Sequence, residues 1–482
     1  MNMFKSRSPS AGSDTFPWMS PQQGVEIRIS CYPHGNVMYR RRGLVVLALL
    51  VATGRTLLST EGETTYVSYA DARPVLAALA DHLPPALDGK TAAGLASIWP
   101  DWVKHRDVEI RARLARGDED SVVNFWLYGT TFTKVPRATD VLKWRLDDFI
   151  AGLAAPSGNE RLRRARAILE RAGLDPTTAA GRAQVRRHLI DARQRAIAEF
   201  QRYDRTVQSN LRDDAGRGGA TAYSTIFSSR GLSSDTSLSP DFGVEQALEA
   251  IKLQRKLMPN AVRDVAIVGP GLDFTNKADG YDFYPEQTTQ PFAVVDSLVR
   301  LGLARSSEIE VTTFDLSPRV NGHLEAASRR ARAGAPYVVQ LPLNRDEQWS
   351  QELLSYWRRF GDGVGDEVSP AAAPPGAGHV QVRAVQVRAS IAARIHPIDL
   401  NLVLQRIDRP FDLIVATNML VYYNVFEQAL AIANAGSMLR PGGIFLSNDA
   451  VLPVPPIQPT AGYLQVVYSP TERDHFFWYQ RQ

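Results

Sequence analysis

Short apolar runs alternate with amphipathic segments along the C-terminal part of the chain, from about Asp264 to the end. Three of the apolar runs are Asp264–Val268, Ile309–Phe314 and Phe411–Ala416, and helical spacing follows at Phe292–Leu301 and Val425–Leu439. Parallel strands need a long crossover connection between them, which is usually a helix. The alternation therefore predicts an α/β fold, a doubly wound, Rossmann-like and mainly parallel sheet.

Further segments fit the same sheet. Strands are predicted at Tyr337–Pro342, at Val380–Arg388 and at Gly443–Ser447, with a surface insertion over 361–378. The last two apolar alternations, Tyr463–Tyr468 and His475–Tyr479, predict a closing antiparallel pair.

The preceding part of the chain has helical spacing and predicts an all-α N-terminal domain over 61–214. Asp71–Leu83 and Thr178–Leu211 read as helices, and a third helix follows Asp140 as its N-cap. The Gly- and Ser-rich stretch 215–242 is either a linker or a lid over a neighbouring site. The Rossmann-like domain is expected to occupy 243–482 and to open with a helix over Gly243–Leu257.

Charge and composition limit the partners and the kinds of site that the chain is expected to have. The 482 residues include 55 Lys and Arg against 51 Asp and Glu, so the net charge is only +4 and nucleic acid is an unlikely partner. The basic excess lies in an Arg-rich stretch, 151–220, which is typical of a solvated helical surface, with a phosphate- or lipid-facing patch as the alternative. The single cysteine, Cys31, and histidines without metal-ligand spacing predict no metal site.

The N-terminal residues allow two opposite expectations for where the protein is located. Residues 1–37 are predicted to be a disordered extension, and 38–60 resembles a secretory signal because Arg40–Arg42 precede the apolar run Gly43–Ala52. The alternative is a buried element of the folded protein. A working signal would place the protein outside the cytoplasm or anchor it, with membrane contact only through 43–54. Without one, the protein is expected in the cytoplasm.

Two features at strand ends predict a nucleoside site. Gly269-Pro-Gly271 follows the first strand, where missing side chains let the backbone approach a ligand. Asp315 follows the second strand, where a carboxylate can accept both ribose hydroxyls. A dinucleotide fingerprint would need a third glycine at the start of the next helix, and Phe274 stands there instead.

The downstream strands carry a family resemblance. Phe411-Asp-Leu-Ile-Val-Ala-Thr-Asn-Met-Leu-Val-Tyr-Tyr423, followed by Met438-Leu-Arg-Pro-Gly-Gly-Ile-Phe-Leu446, resembles the fourth and fifth strands of class I S-adenosylmethionine-dependent methyltransferases. The resemblance implies S-adenosylmethionine as the cofactor. It also implies methyl transfer to an acceptor that the sequence does not identify, either a small molecule or a protein side chain.

Within that class, the chain is most similar to the chemotaxis-receptor glutamate methyltransferases, in three segments: Thr417–Tyr423, Gln290–Leu298 and Asp399–Leu402. The resemblance implies that Gly269 and Gly271 line the cofactor and that Asp315 holds its ribose. It places Asp399 or Asn401 near the adenine, and Asn418 near the amino-acid end.

The chain departs from the family pattern around the glycine turn. The acid usually found two residues before the first glycine is Ile267, the third glycine position is Asp273, and Phe274–Thr289 is an insertion. A replacement partner for the cofactor ammonium group is expected among four nearby acids: Asp273, Asp279, Asp282 and Glu286. No catalytic base is assigned. The alternatives to a methyltransferase are a non-catalytic, methyltransferase-like binding or scaffold protein and another Rossmann enzyme with a nucleotide cofactor.

Overall fold

The computed structural model describes residues 63–137, 140–212, 231–232, 235–276, 279–450, 454–455, 457 and 462–482. The predicted extension 1–37, the signal-like segment 38–60 and most of the predicted linker or lid lie outside the described residues. Within the described part, no helix combines the length and the apolar character needed to cross a membrane.

The helices of the described residues are α1 (Tyr69–Ala78), α2 (Ala92–Tyr128), α3 (Leu142–Ala154), α4 (Glu160–Arg171), α5 (Ala179–Arg212), α6 (Leu238–Leu253), α7 (Gln290–Arg300), α8 (Pro318–Arg332), α9 (Gln351–Arg359), α10 (Ala389–Ala392) and α11 (Val425–Met438). The strands are β1 (Thr65–Tyr66), β2 (Asp264–Val268), β3 (Glu310–Asp315), β4 (Tyr337–Asn344), β5 (Gly365–Val368), β6 (Val380–Val387), β7 (Ile395–Asp399), β8 (Gln405–Arg406), β9 (Phe411–Ala416), β10 (Leu439–Ser447), β11 (Gly462–Val467) and β12 (Arg473–Gln480).

The main sheet has seven strands in the order β7-β3-β2-β9-β10-β12-β11. Strands β7, β3, β2, β9 and β10 are parallel, and β12 is antiparallel to both of its neighbours. The predicted mainly parallel sheet with a closing antiparallel pair is confirmed. After β2 the chain adds strands on one side, and from β9 onward on the other, so the order reverses between β2 and β9. Doubly wound sheets bind ligands at the carboxyl ends of the strands that flank such a reversal.

The prediction that β4 and β6 belong to the main sheet is wrong. They form a separate antiparallel sheet with β5, in the order β4-β6-β5, so the stretch predicted as a surface insertion contributes residues of its first half to a strand. The strand beside β3, at one edge of the main sheet, is instead β7, whose sequence Ile-His-Pro-Ile-Asp has no continuous apolar run.

Both faces of the main sheet are covered. Side chains alternate along a strand, and in β2 Val265 and Ile267 enter a core shared with α6, α7 and α8. Ala266 and Val268 enter a second core shared with α1, α2 and α11. This double burial explains why β2 reads as an uninterrupted apolar run in the sequence.

Helix α2 packs in two separate hydrophobic cores, one at each end of the helix. Its residues up to Leu114 pack in the core on the second face of the sheet, whereas Val122–Tyr128 pack with α3, α4 and α5 in a separate helical cluster. The N-terminal part is not purely helical either, since β1 pairs with β8. Helix α1 and the first part of α2 therefore cover one face of the sheet together with α11.

Two predicted helix starts are shifted. Helix α6 begins at Leu238, inside the segment predicted as linker or lid. The N-cap of α3 is Val141, which makes no side-chain capping bond, and not Asp140.

Candidate functional site

A pocket opens at the carboxyl ends of β2, β3 and β9, at the reversal of strand order. The space between its walls, counted together with the part open to solvent, is about 600 Å³. Its walls are mostly apolar and are formed by Leu114, Leu232, Val268, Gly269, Phe314, Asp315, Leu316, Ser317, Leu400, Asn401, Leu402, Thr417, Asn418, Met419, Tyr422 and Tyr423.

The glycine turn starts at the pocket wall. Gly269 has φ 65° and Gly271 has φ 73°, a conformation that L-residues rarely adopt. The amide of Gly269 donates to the carbonyl of Phe314 at 2.8 Å, which fixes the turn to β3. A Cβ atom on Gly269 would meet only the Met419 side chain, at 4.0 Å, so the space above the glycine is open to a ligand.

Asp315 is the last residue of β3 and is largely buried in the pocket wall. One carboxylate oxygen accepts a hydrogen bond from the Ser317 amide at 2.7 Å. Burial raises the pKa of Asp315 to about 7; the charge of Asp399 adds to the rise, and the Ser317 amide and Arg319 oppose it. When this carboxyl ionises, it becomes an acceptor for hydroxyl groups in the pocket.

Asn401 follows β7, the strand beside β3, and also lines the pocket; a residue of α2 holds its side chain. The Asn401 Nδ2 donates to Oδ1 of Asp107 at 2.7 Å, and its Oδ1 accepts from the amide of Val403 at 3.2 Å. Both amide atoms are thus used in positioning the loop that follows β7.

Asn418 follows β9 at φ 54°, in the left-handed region. Its amide and its Oδ1 both bond to the Asn448 side chain, each at 2.7 Å. This pairing does not use the Nδ2 group of Asn418, and Asn418 lines the pocket. Thr417, beside it, accepts a hydrogen bond from Nε2 of Gln290 at 2.7 Å.

The structure brings Gly269, Asp315, Asn401 and Asn418 together in one pocket, and places Gly271, Asp273 and Asp399 outside its walls. Asp399 has a half-exposed side chain that forms an ion pair with Arg111 at 2.8 Å. Asp273 is buried beside Asp235, and burial followed by the charge of Asp235 raises its pKa well above the usual range.

The remaining acids offered as partners of the ammonium group, Asp279, Asp282 and Glu286, have other contacts. Asp282 accepts from the amide of Thr130 at 2.7 Å. Glu286 forms ion pairs with Arg164 and Arg319. Asp279 accepts from Asn344 Nδ2 at 3.0 Å. None of the three lines the pocket.

Sequence reasoning missed the contribution of α2. Leu114 lines the pocket, and Arg113 donates to the carbonyl of Tyr422 at 2.7 Å while lying over the ring of Tyr423, 5.7 Å from its centroid. Leu232 also lines the pocket, and its amide donates to the backbone carbonyl of Arg113 in α2 at 3.3 Å. The only sequence signal for these contacts was the proposed lid, of which Leu232 is one of the described residues.

The N-terminal end of α7 is buried, so its backbone amides are not open to a ligand. Thr289 and Gln290 are buried, and both lie beside the buried carboxylate of Asp241. A dinucleotide pyrophosphate normally sits on an open helix N-terminus, and α7 does not offer one.

No family model matches the chain, and no curated protein matches it. Solved structures that it resembles include the magnesium protoporphyrin IX methyltransferase of Synechocystis PCC 6803 with bound SAM, at 11% identity and TM-score 0.26 over 59% of this chain and 91% of that one. Another is the N-methyltransferase NodS of Bradyrhizobium japonicum WM9 with S-adenosyl-l-homocysteine, at 14% identity and TM-score 0.25 over 58% and 98% of the two chains. TM-scores this low establish neither family nor function, so the fold of this chain is defined by its own strand order.

Proposed function

We propose that this protein binds S-adenosylmethionine in the pocket at the carboxyl ends of β2, β3 and β9 and transfers its methyl group to an acceptor. The observation that carries the proposal is the meeting of Gly269, Asp315 and Asn418 in one pocket at the reversal of strand order. The open space above Gly269 admits a ligand, and Asp315 in the same wall offers a carboxylate that can accept ribose hydroxyls.

The closed end of α7 favours this cofactor over a dinucleotide. A pyrophosphate needs exposed backbone amides at a helix start, and here the corresponding turn is buried against the carboxylate of Asp241. S-adenosylmethionine has no phosphate. It ends instead in an amino-acid group, for which Asn418 offers an amide donor.

The residues of the pocket would bind the cofactor, orient it toward the acceptor and exclude water. A methyl group on a positively charged sulfur is already activated, so placing the acceptor in line with it supplies much of the rate. The apolar walls from Leu114, Leu402 and Met419 exclude water from that space.

Calorimetric titration of the full chain tests the proposal. We expect S-adenosylmethionine and its demethylated product to bind and NAD not to bind. Asp315→Ala should weaken both ligands by about 1–3 kcal/mol, the scale of a hydrogen bond to a charged group. Binding of NAD alone, or of none of the three, would contradict the proposal.

Catalysis needs a second measurement. Tritium-labelled S-adenosylmethionine, incubated with the protein and a cell extract, should label a small-molecule or a protein fraction. Asp315→Ala should reduce that labelling at limiting cofactor. Tight binding without any labelling would favour the non-catalytic binding protein over the methyltransferase.

A further inference from the structure

The two edges of the main sheet differ in how they are protected. One edge is β7, where Pro397 has no amide to donate and Asp399 carries a charge that pairs with Arg111. Proline and charge keep other chains from pairing with an exposed edge. The other edge is β11, Gly-Tyr-Leu-Gln-Val-Val, which contains neither proline nor a charged residue. Among the described residues no strand lies beyond β11, so this edge is open to another strand.

The hydrogen-bond pattern identifies the residues of β11 that face this open edge. Tyr468, directly after β11, donates its amide to the carbonyl of Glu472 in the turn to β12, at 2.9 Å. Along an antiparallel pair, residues alternate between bonding to the partner strand and pointing away from it. Counting back from Tyr468, every second residue bonds to β12, and the others direct their amides and carbonyls outward. The outward residues are Tyr463, Gln465 and Val467.

The side chains of these three residues lie on one face of the sheet, because side chains alternate along a strand. Tyr463 is 68% exposed and Val467 is 47% exposed, and Gln465 is exposed between them. The ring of Tyr463 stacks on Phe477 of β12, with 6.2 Å between the centroids, and leaves its other side uncovered. On the opposite face Val466 is buried in the core shared with α6. An exposed aromatic and an exposed β-branched side chain on an unprotected edge are typical of a strand that pairs with another chain.

We propose that a second copy of this chain pairs with β11 along this edge, antiparallel, about a two-fold axis that passes through Gln465 at right angles to the sheet. The axis brings Tyr463 opposite the partner's Val467 and Gln465 opposite the partner's Gln465. All the facing residues are outward residues, so each pair can exchange two backbone hydrogen bonds. An aromatic side chain opposite a β-branched one is a favourable cross-strand pair, and no two like charges of β11 meet. The edge is therefore complementary to itself, as a two-fold interface requires.

The length and position of β11 set what the pairing can do. The strand has six residues and is about 20 Å long. Stable interfaces usually bury about 1,200–2,000 Å², and an edge of this length contributes less, so we expect a dimer that dissociates on dilution. β10 and β12 separate β11 from β9, whose end borders the pocket. The pairing therefore joins two seven-stranded sheets into one and leaves both pockets open to ligands.

Sedimentation velocity of the full chain over a hundredfold range of concentration tests the proposal. The wild-type protein should change from monomer to dimer as its concentration rises. Because Gln465 lies on the axis, Gln465→Lys and Gln465→Glu each place two like charges directly opposite one another, which destabilises strand pairing. Each variant alone should stay monomeric at concentrations where half of the wild-type protein is dimeric. An equimolar mixture of the two should dimerise again, because opposite charges then face each other.

Gln184→Lys, at an exposed position of α5, is the matched control for added charge and should dimerise as the wild type does. A wild-type protein that is monomeric throughout would overturn the proposal, and so would dimers of Gln465→Lys as strong as those of the wild type. A mixture of the two charged variants that stays monomeric would do the same. Titration with S-adenosylmethionine tests the proposed function independently, since the charged variants should bind this ligand as the wild type does whether or not they dimerise.

Discussion

Asp107 of α2 accepts a hydrogen bond from the side chain of Asn401 at 2.7 Å, across 294 positions of sequence. The same carboxylate accepts from the Tyr66 hydroxyl at 2.9 Å and from Nε of Arg111 at 3.0 Å. Arg111 in turn pairs with Asp399 at the end of β7. A residue of the predicted helical domain thus positions the pocket wall that follows the edge strand.

Asp107→Ala should therefore affect both stability and binding. It leaves the buried donors of Asn401 unsatisfied, which costs about 1–3 kcal/mol of unfolding free energy, and it loosens the loop that lines the pocket. Urea unfolding measures the loss of stability. Titration with 5′-methylthioadenosine, which keeps the nucleoside and the sulfur of S-adenosylmethionine, measures the loss of binding. Asp101→Ala, at an exposed position of the same helix, is the control and should change neither. Unchanged affinity in Asp107→Ala would show that the loop after β7 does not contact the ligand.

Gly269→Ala separates backbone strain from occupied ligand space. An alanine at φ 65° costs about 1–2 kcal/mol of stability, while its methyl group projects into space where the nearest protein atom is in the Met419 side chain, at 4.0 Å, and causes no clash. We expect a loss of stability of that size and at least a tenfold loss of affinity for 5′-methylthioadenosine. Gly302, at φ 68° with nothing within 4 Å of a Cβ atom, offers a matched control remote from the pocket. Gly302→Ala should lose similar stability and no affinity, and an equal loss of affinity in both variants would assign the effect to strain.

The strands that flank the pocket could be predicted because both of their faces are buried. β2 and β9 lie inside the sheet and read as continuous apolar runs, which the sequence shows without ambiguity. β7 was missed because it lies at an edge of the main sheet, where partial exposure and the unpaired side tolerate His396 and Pro397 and interrupt the apolar run.

The α2 contribution to the site could not be predicted for a different reason. Its 37 residues pack first in one core and then in another, so no single apolar face runs along the helix. Three of its acidic residues, Asp107, Asp118 and Asp120, are also buried. Pairs such as Asp107 with Asn401 exist only in the folded chain. The sequence pattern of a buried acid on a helix is the same as that of a solvated one, and Asp241 was overlooked for that reason.

The affinity for 5′-methylthioadenosine should depend on the ionisation of Asp315. Burial raises the pKa of this carboxyl from 3.8 to about 7, so it is mostly protonated at pH 6 and mostly ionised at pH 8. An ionised carboxylate accepts hydroxyl groups with both lone-pair sites of its second oxygen, and charged acceptors form the stronger hydrogen bonds. We expect affinity to increase from pH 6 to pH 8 with a midpoint near 7. Asp315→Asn should bind more weakly with a flat profile, and a variant that kept the wild-type profile would assign the titration to another group.

Stability should depend on pH in the opposite direction because of Asp241. Burial raises the pKa of its carboxyl from 3.8 to about 8, with Thr289 and Gln290 opposing the shift. The folded protein therefore holds this proton where the unfolded chain has lost it, and the contribution of Asp241 to stability falls as pH rises from about 4 to 8. In Asp241→Asn the amide is neutral at every pH and nearly the same size as the protonated acid. The variant should match wild type near pH 4 and melt at a higher temperature at pH 8, in the absence of ligand. Asp408→Asn, at an exposed position, should follow the wild-type melting temperature throughout. A constant difference between wild type and Asp241→Asn from pH 4 to 8 would mean that Asp241 is ionised in the folded protein at both ends of the range.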